Sequence, residues 1–274
     1  MSRKAVTRTS PPLGRHDARR RPCPIAGAQS ISRAAAVLRA VGTARGQAAT
    51  LSNVAQLVGL KTATARRLLQ ALAAEGFLTF DAQKKTYQIG PDLIALTASG
   101  DDVFATRDVL MAACREVAAK TSDTTLLSVR RGDFAICIGR VEGAFPIRVM
   151  SLDIGGVRPL GAGSGSLALL AFLSDAERQQ VLARNERDFE RYGLAMADIV
   201  ELAAQARSTG YAFNPGLILP GVFGIGVPVY RDGAVAAAIS VIAIEQRLDR
   251  ARRAEIARIA RTAIGRLPHF SAAP

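Results

Sequence analysis

Between Lys61 and Gln70 the sequence KTATARRLLQ gathers a lysine, two threonines, two arginines and a glutamine. Guanidinium forks, hydroxyls and an amide are the groups that read base edges and hold phosphates in a DNA major groove. They act together only if they share a face. With Ala65, Leu68, Leu69 and Leu72 at i, i+3, i+4 and i+7, a helix turns Ala63, Arg66, Arg67 and Gln70 to the opposite side, with Lys61, Thr62 and Thr64 at its exposed N-terminal end.

A second concentration is GAGSGS at residues 161–166. Glycines ahead of an apolar helix can offer backbone amides to an anion. The stretch lacks the Lys-Ser/Thr pair of a phosphate-binding loop and the GxGxxG spacing, and no histidine stands nearby to activate Ser164 or Ser166. An enzyme is thus the weakest of the readings left open, and no catalytic residue is assigned. Cys23, Cys114 and Cys137 are odd in number and widely spaced, and the histidines are only His16 and His269. A disulfide framework or zinc site is not expected, and no metal or cofactor is assigned.

These groups need scaffolding. Thr50 to Leu72, TLSNVAQLVGLKTATARRLLQAL, reads as two short helices turning at Gly59. Val54, Leu57 and Val58 form the inward face of the first, Ser52 caps its start, and Leu60 fills the angle between them. Gln29 to Val41 is a further helix, its stripe of Ile31, Ala34, Ala35, Leu38 and Val41 packing beneath the pair. Phe77 to Phe80 and Thr86 to Ile89 make a hairpin with Lys84 and Lys85 at the tip, where they could reach a phosphate. A helix corner with a solvated basic face is the plainer alternative.

The location of the charge favours DNA. Residues 1–24 hold seven Lys/Arg against one Asp, residues 25–90 eight against two acids, and residues 91–274 twenty-one against twenty. Nearly all of the net +13 lies in the first third. Residues 1–24 read as a disordered basic arm, 25–90 as a winged helix-turn-helix domain, and 91–120 as a linker with an interdomain helix from Asp101 to Lys120. Val103, Leu110, Ala113, Cys114 and Val117 give that helix its stripe. Residues 121–268 form a second domain and 269–274 a tail.

In the second domain the period changes. Thr125 to Val129, Phe134 to Val141, Ile147 to Met150, Tyr211 to Asn214, Phe223 to Tyr230 and Val235 to Ile244 read as strands. Leu167 to Leu173, Asp175 to Arg184, Ala197 to Ser208 and Asp249 to Leu267 read as helices, the last with its six arginines on a solvated face. The fold class is α+β, a mixed sheet flanked by helices. No apolar run approaches a membrane span and the N-terminus lacks a signal peptide's apolar core, so a cytoplasmic location without membrane contact is expected.

In order, QSISRAAAVL, LSNVAQLVGLKTATARRLL, GFLTFDAQKKTYQIGPDLIAL, VRPLGAGSGSLALLAFLSDAE, GYAFNPG and AAAISVIAIEQRL resemble the IclR family of bacterial transcriptional regulators. The likeness runs from about Ala28 to Leu267. It implies a winged helix-turn-helix joined by a linker helix to a GAF-like effector-binding domain, working as a homodimer or dimer of dimers on double-stranded operator DNA. The DNA-binding positions would be Ser52, Lys61, Thr62, Thr64, Arg66, Arg67, Gln70, Lys84 and Lys85. Against the family's recognition helix Thr64 and Arg67 match and the rest differ, so no operator sequence carries over.

Family members that sense small keto acids line their pocket with the loop before the first long helix, an Asp, a Cys and two serines. Here those positions fall on Ser164, Gly165, Ser166, Asn214, Gly224, Ser240 and Ile242. Only the loop and Ser240 keep polar donors, while Leu217, Ile218, Leu219, Val222 and Phe223 make the surroundings apolar. The expectation is a ligand-responsive regulator sensing a small organic acid of aromatic or apolar character. The alternative is an architectural DNA-binding protein with no small-molecule ligand.

Overall fold

The computed structural model describes residues 27–44, 49–98, 103–147, 149 and 152–273. The basic arm expected over residues 1–24 lies outside them. The chain divides into two compact units, with the break in sequence between Thr106 and Arg107.

The first unit holds α1 (Gln29–Thr43), α2 (Leu51–Val58), α3 (Thr62–Ala74), the hairpin strands β1 (Leu78–Asp81) and β2 (Thr86–Ile89), and α4 (Pro91–Ala98). Its core joins Val37, Ala40 and Val41 of α1 to Val54, Leu69, Leu72, Leu78 and Tyr87. The expected α1 stripe is displaced by part of a turn, because Ile31 is exposed and Val37 and Ala40 take the central places. Leu57 likewise faces solvent, and Ala55 is buried in its stead. Ser52 does not cap α2. Thr50 does, its hydroxyl accepting from the Asn53 amide at 3.3 Å, and Ser52 lies exposed in the first turn. Gly59 takes the left-handed conformation at φ 65°, which lets its own amide and that of Leu60 reach the carbonyls of Gln56 and Ala55. Thr50 also bridges Thr86, and the Tyr87 amide donates to Ala49, so the chain entering α2 is tied to the hairpin.

The second unit contains α5 (Val103–Thr121), β3 (Thr124–Arg131), β4 (Phe134–Val141), β5 (Val157–Pro159), α6 (Ser164–Ala171), α7 (Asp175–Arg191), α8 (Met196–Thr209), β6 (Ala212–Asn214), β7 (Val222–Arg231), β8 (Ala234–Ile244), a 3-10 turn over Glu245–Arg247, and α9 (Arg250–Ile264). The sheet order is β5-β4-β3-β8-β7-β6. Every pairing is antiparallel, so the sheet is not the mixed one expected. Ile147 and Val149 belong to no strand, and the strand beside β4 is β5. The α+β class stands, with the sheet between two helical layers.

Strand alternation explains the layers. Leu127, Ile239, Val227, Ile225 and Val241 point to one face and pack with Leu110, Cys114 and Val117 of α5 and Ile256, Ala260 and Ile264 of α9. The opposite face meets α6, which packs with α7 and α8 through Leu167, Leu170, Val181, Phe189, Ile199 and Ala203. The arginines expected on a solvated face over residues 249–267 do not form a uniformly solvated row. Arg253 stacks 3.4 Å over Phe213, Arg252 donates to the Thr121 carbonyl at 2.9 Å, and Arg266 pairs with Glu116 at 2.8 Å.

Candidate functional site

In the first unit, α3 presents Lys61, Thr62, Arg66, Arg67 and Gln70 to solvent, with Thr64 half-buried beside them. Ala65, Leu69 and Leu72 are buried on the opposite side, so the packing and the polar face are carried by different residues. Neither Arg66 nor Arg67 has an acid partner among the described residues. At the hairpin tip, Asp81 Oδ1 accepts from the amides of Gln83 and Lys84 at 3.0 Å each, and Lys85 turns left-handed at φ 53°. The Lys84 backbone bond is the main cause that holds the Asp81 carboxyl below its ordinary value. Lys84 and Lys85 are exposed there, with Lys84 Nζ 3.8 Å from Asp81 in an ion pair that water screens.

In the second unit a cavity with a free volume of about 60 Å³ and a partly open mouth lies between the N-terminal end of α6, the sheet and the segment after β6. Ser164, Gly165, Ser166, Asn214, Phe223, Gly224, Ser240 and Ile242 all line it, although they come from four separate stretches of sequence. Register brings the sheet residues together. Leu126 opposes Ser240, which opposes Gly226, and Thr124 opposes Ile242, which opposes Gly224.

Glycines set how closely α6 can approach. A methyl added at Gly165 would lie 3.1 Å from Ser240 Oγ, one at Gly224 2.4 Å from Ser164 Oγ, and one at Gly226 2.2 Å from the Ser164 carbonyl oxygen. The helix therefore begins at Ser164, inside the glycine-rich stretch rather than after it at Leu167. The first helical bond runs from the Leu167 amide to the Gly163 carbonyl at 2.8 Å, so the amides of Ser164, Gly165 and Ser166 precede it, and all three residues line the cavity. Ser166 Oγ turns back to donate to the Gly163 carbonyl at 3.0 Å.

Asn214 is buried at 5% exposure, and its Oδ1 accepts from the amides of Gly216 at 3.0 Å and Leu217 at 3.1 Å. Those two donors fix which end of the amide is oxygen. Its Nδ2 is buried beside the cavity and has no acceptor among the described residues. Two polar residues that the sequence reading missed also line the space, Ser128 and Arg158. Arg158 stacks 5.7 Å from the Tyr192 ring centroid, and burial lowers its pKa from the ordinary value, Tyr192 opposing that shift. The available signals were the i, i+2 relation of Ser128 to Leu126 on one strand face and the charge of Arg158 immediately ahead of an apolar, glycine-rich run.

Among the described residues no cluster of His, Cys, Asp and Glu is placed to hold a metal ion, and no helix is long and apolar enough to cross a membrane.

Comparison with known proteins gives matches for both units. Residues 99–267 match the family model described as the bacterial transcriptional regulator IclR C-terminal domain, and residues 30–82 the IclR helix-turn-helix domain. The HTH-type transcriptional regulator XynR of Escherichia coli strain K12 is 27% identical over 210 residues, covering 74% of this chain and 82% of that protein. The crystal structure of a transcriptional regulator of this family from Alicyclobacillus acidocaldarius aligns at TM-score 0.67 and 26% identity, covering 86% of this chain and 94% of the other. An IclR homologue from Microbacterium hydrocarbonoxydans, crystallised with 4-hydroxybenzoate, aligns at TM-score 0.68 and 23% identity over 85% of this chain and 96% of the other, a likeness that carries the fold.

Proposed function

This chain belongs to the IclR family of bacterial transcriptional regulators, with a helix-turn-helix domain ahead of the family's C-terminal domain, and from that premise we propose that it is a cytoplasmic regulator whose affinity for operator DNA responds to a small organic acid. The observation that carries the sensing half is Asn214. A buried amide donor with no acceptor is costly unless something in the cavity accepts from it. Its oxygen is already committed to Gly216 and Leu217, so the site asks for an acceptor and not a donor.

Arg158, the amides at the start of α6 and Asn214 together favour an oxygen-rich, negative end on the ligand. Leu126, Leu152, Ile218, Leu219 and Phe223 favour an aromatic or apolar remainder. The complex with 4-hydroxybenzoate belongs to the Microbacterium homologue, and the choice of an acid for this chain rests on its own residues.

On the DNA side, Thr64, Arg66 and Arg67 would make base and phosphate contacts, with Ser52, Lys61, Thr62 and Gln70 beside them and Lys84 and Lys85 reaching the flanking backbone. The chain would act as a homodimer or dimer of dimers. Ligand binding would alter DNA affinity only in so far as the ligand binds the two arrangements of the protein differently.

The test combines selection of a duplex site from a random pool with a thermal-shift screen of small organic acids on the full chain. Enrichment of one site that a saturating acid then weakens or strengthens supports the proposal. No preference over random duplex would defeat the DNA half. Site-specific binding with flat thermal shifts across the acids would favour an architectural DNA-binding protein.

A further inference from the structure

Among the described residues, Phe223 alone both lines the cavity and packs against the core on the α5 and α9 side of the sheet. Its ring meets Phe213 edge to face, with centroids 5.4 Å apart. The Arg253 guanidinium lies 3.4 Å over Phe213 and 5.7 Å from the Phe223 centroid, so one cation covers both rings. Arg253 Nε donates to the Leu248 carbonyl at 2.7 Å, which fixes the side chain across the corner leading into α9.

The same corner grips the end of α5. Arg252, next in the chain, donates to the Thr121 carbonyl at 2.9 Å, and Arg247 donates to that carbonyl at 3.2 Å and to both oxygens of Asp123 at 2.8 and 3.1 Å. Arg247 also lies 3.8 Å over Phe145. Asp123 is buried, so its pairing with Arg247 holds the corner firmly to the residues that follow α5. The corner over residues 245–253 is thus bound on one side to the wall of the cavity and on the other to the helix by which the chain enters this unit.

We infer that Arg253 is a positioning residue that couples the Phe223 wall of the cavity to the C-terminal end of α5. The inference rests on reading the cavity as the effector site. A ligand that moves the Phe223 ring disturbs the Phe213 ring that it meets edge to face and over which Arg253 sits, and with it the first turn of α9, where Arg252 holds Thr121. Coupling of this kind needs a shared element that both sides bias, and the corner is that element.

Hydrogen–deuterium exchange on the full chain, with no ligand added, tests it. Phe223→Leu removes the ring and Arg253→Met removes the charge, each with little change of volume. Both are expected to speed exchange at residues 117–123 by about threefold or more. The double variant should add little to either single one, because both break one linkage. Arg253→Lys, which keeps the cation, should restore part of the protection. Leu202→Ala, a comparable apolar loss on the other side of the sheet, should leave residues 117–123 at the parent rate. Parent-like exchange there in Phe223→Leu and Arg253→Met overturns the inference, as does equal acceleration in Leu202→Ala, which would mean general loosening. If one variant fails to fold, the other and Arg253→Lys decide. No ligand enters this measurement, so its failure is separate from failure of the acid-sensing proposal.

Discussion

The Ser164 carbonyl oxygen and Gly226 stand so close that a methyl group on the glycine would come within 2.2 Å of the oxygen. The first turn of α6 therefore rests on the backbone of β7, and the neighbouring contact of Gly224 with Ser164 Oγ is the softer of the two. The hydroxyl can rotate away and leave Ser164 Cβ at 2.9 Å, whereas at Gly226 the carbonyl oxygen at 2.2 Å and its carbon at 2.7 Å are helix backbone and cannot. Gly226→Ala should cost about 1–3 kcal/mol of stability, as overpacking does, and Gly224→Ala less. Urea denaturation of both variants against the parent checks the order, and equal losses would mean that α6 is free to lift.

Arg67→Ala should weaken binding to a selected duplex site by about 1–3 kcal/mol while leaving thermal unfolding unchanged. Leu69 and Leu72 carry the packing on the far side of α3. Parent-like affinity in this variant would show that another face meets the DNA.

Capping of α2 separates two neighbouring hydroxyls. Thr50→Ala removes the acceptor for the Asn53 amide and should cost about 1 kcal/mol, whereas Ser52→Ala should stay within about 0.5 kcal/mol. Thermal melts of the two variants decide, and the reverse order would refute the assignment.

The hairpin tip has an acid limit. Backbone donation by Lys84 depresses the Asp81 carboxyl, so the stabilisation it gives the turn is full above the ordinary carboxylate range and is lost as pH falls through the lower folded value. Carboxyl titration by NMR should place its midpoint below the ordinary Asp value of about 3.9, with the Gln83 and Lys84 amide shifts moving in step. A midpoint at or above that value would mean the turn is open in solution.

Burial pushes the Cys114 thiol up to about 12 and the Cys137 thiol to about 11. Since the thiolate is the reactive form, iodoacetamide at pH 8 should leave both unmodified in the native protein and label both in urea. Mass spectrometry of the digested chain reads the outcome, and native labelling of either would contradict its place in the core.

The helix pair and its polar face were legible because Gly59 and the Leu69/Leu72 spacing allow few other arrangements. Leu57 does not face inward because spacing counts turns without knowing which side of the helix the rest of the unit covers, and Val54 and Ala55 are the buried residues. In the second unit the strands of both long hairpins could be read from alternation and turn residues. The antiparallel sheet order could not, since it depends on pairings between β3 and β8, more than a hundred residues apart. Arg158 and Ser128 escaped notice for the same reason. The local signals, a strand face shared with Leu126 and a charge ahead of a glycine-rich run, do not say that α6 and Ser240 stand opposite. Asn214 was found by position, but its committed oxygen and unmatched nitrogen became visible only with the turn to Gly216 and Leu217.

Alternation along β3, β7 and β8 gives each strand two rows, whose duties are separate except at Phe223, which serves both. Leu126, Gly226 and Ser240 border α6 and the cavity, while Leu127, Val227 and Ile239 belong to the core under α5 and α9. Substitutions in the first row can change what the cavity accepts without entering the second. Descendants of one ancestral chain could thus diverge in the compounds they recognise while inheriting the same framework, each step tolerated because it falls on alternate residues.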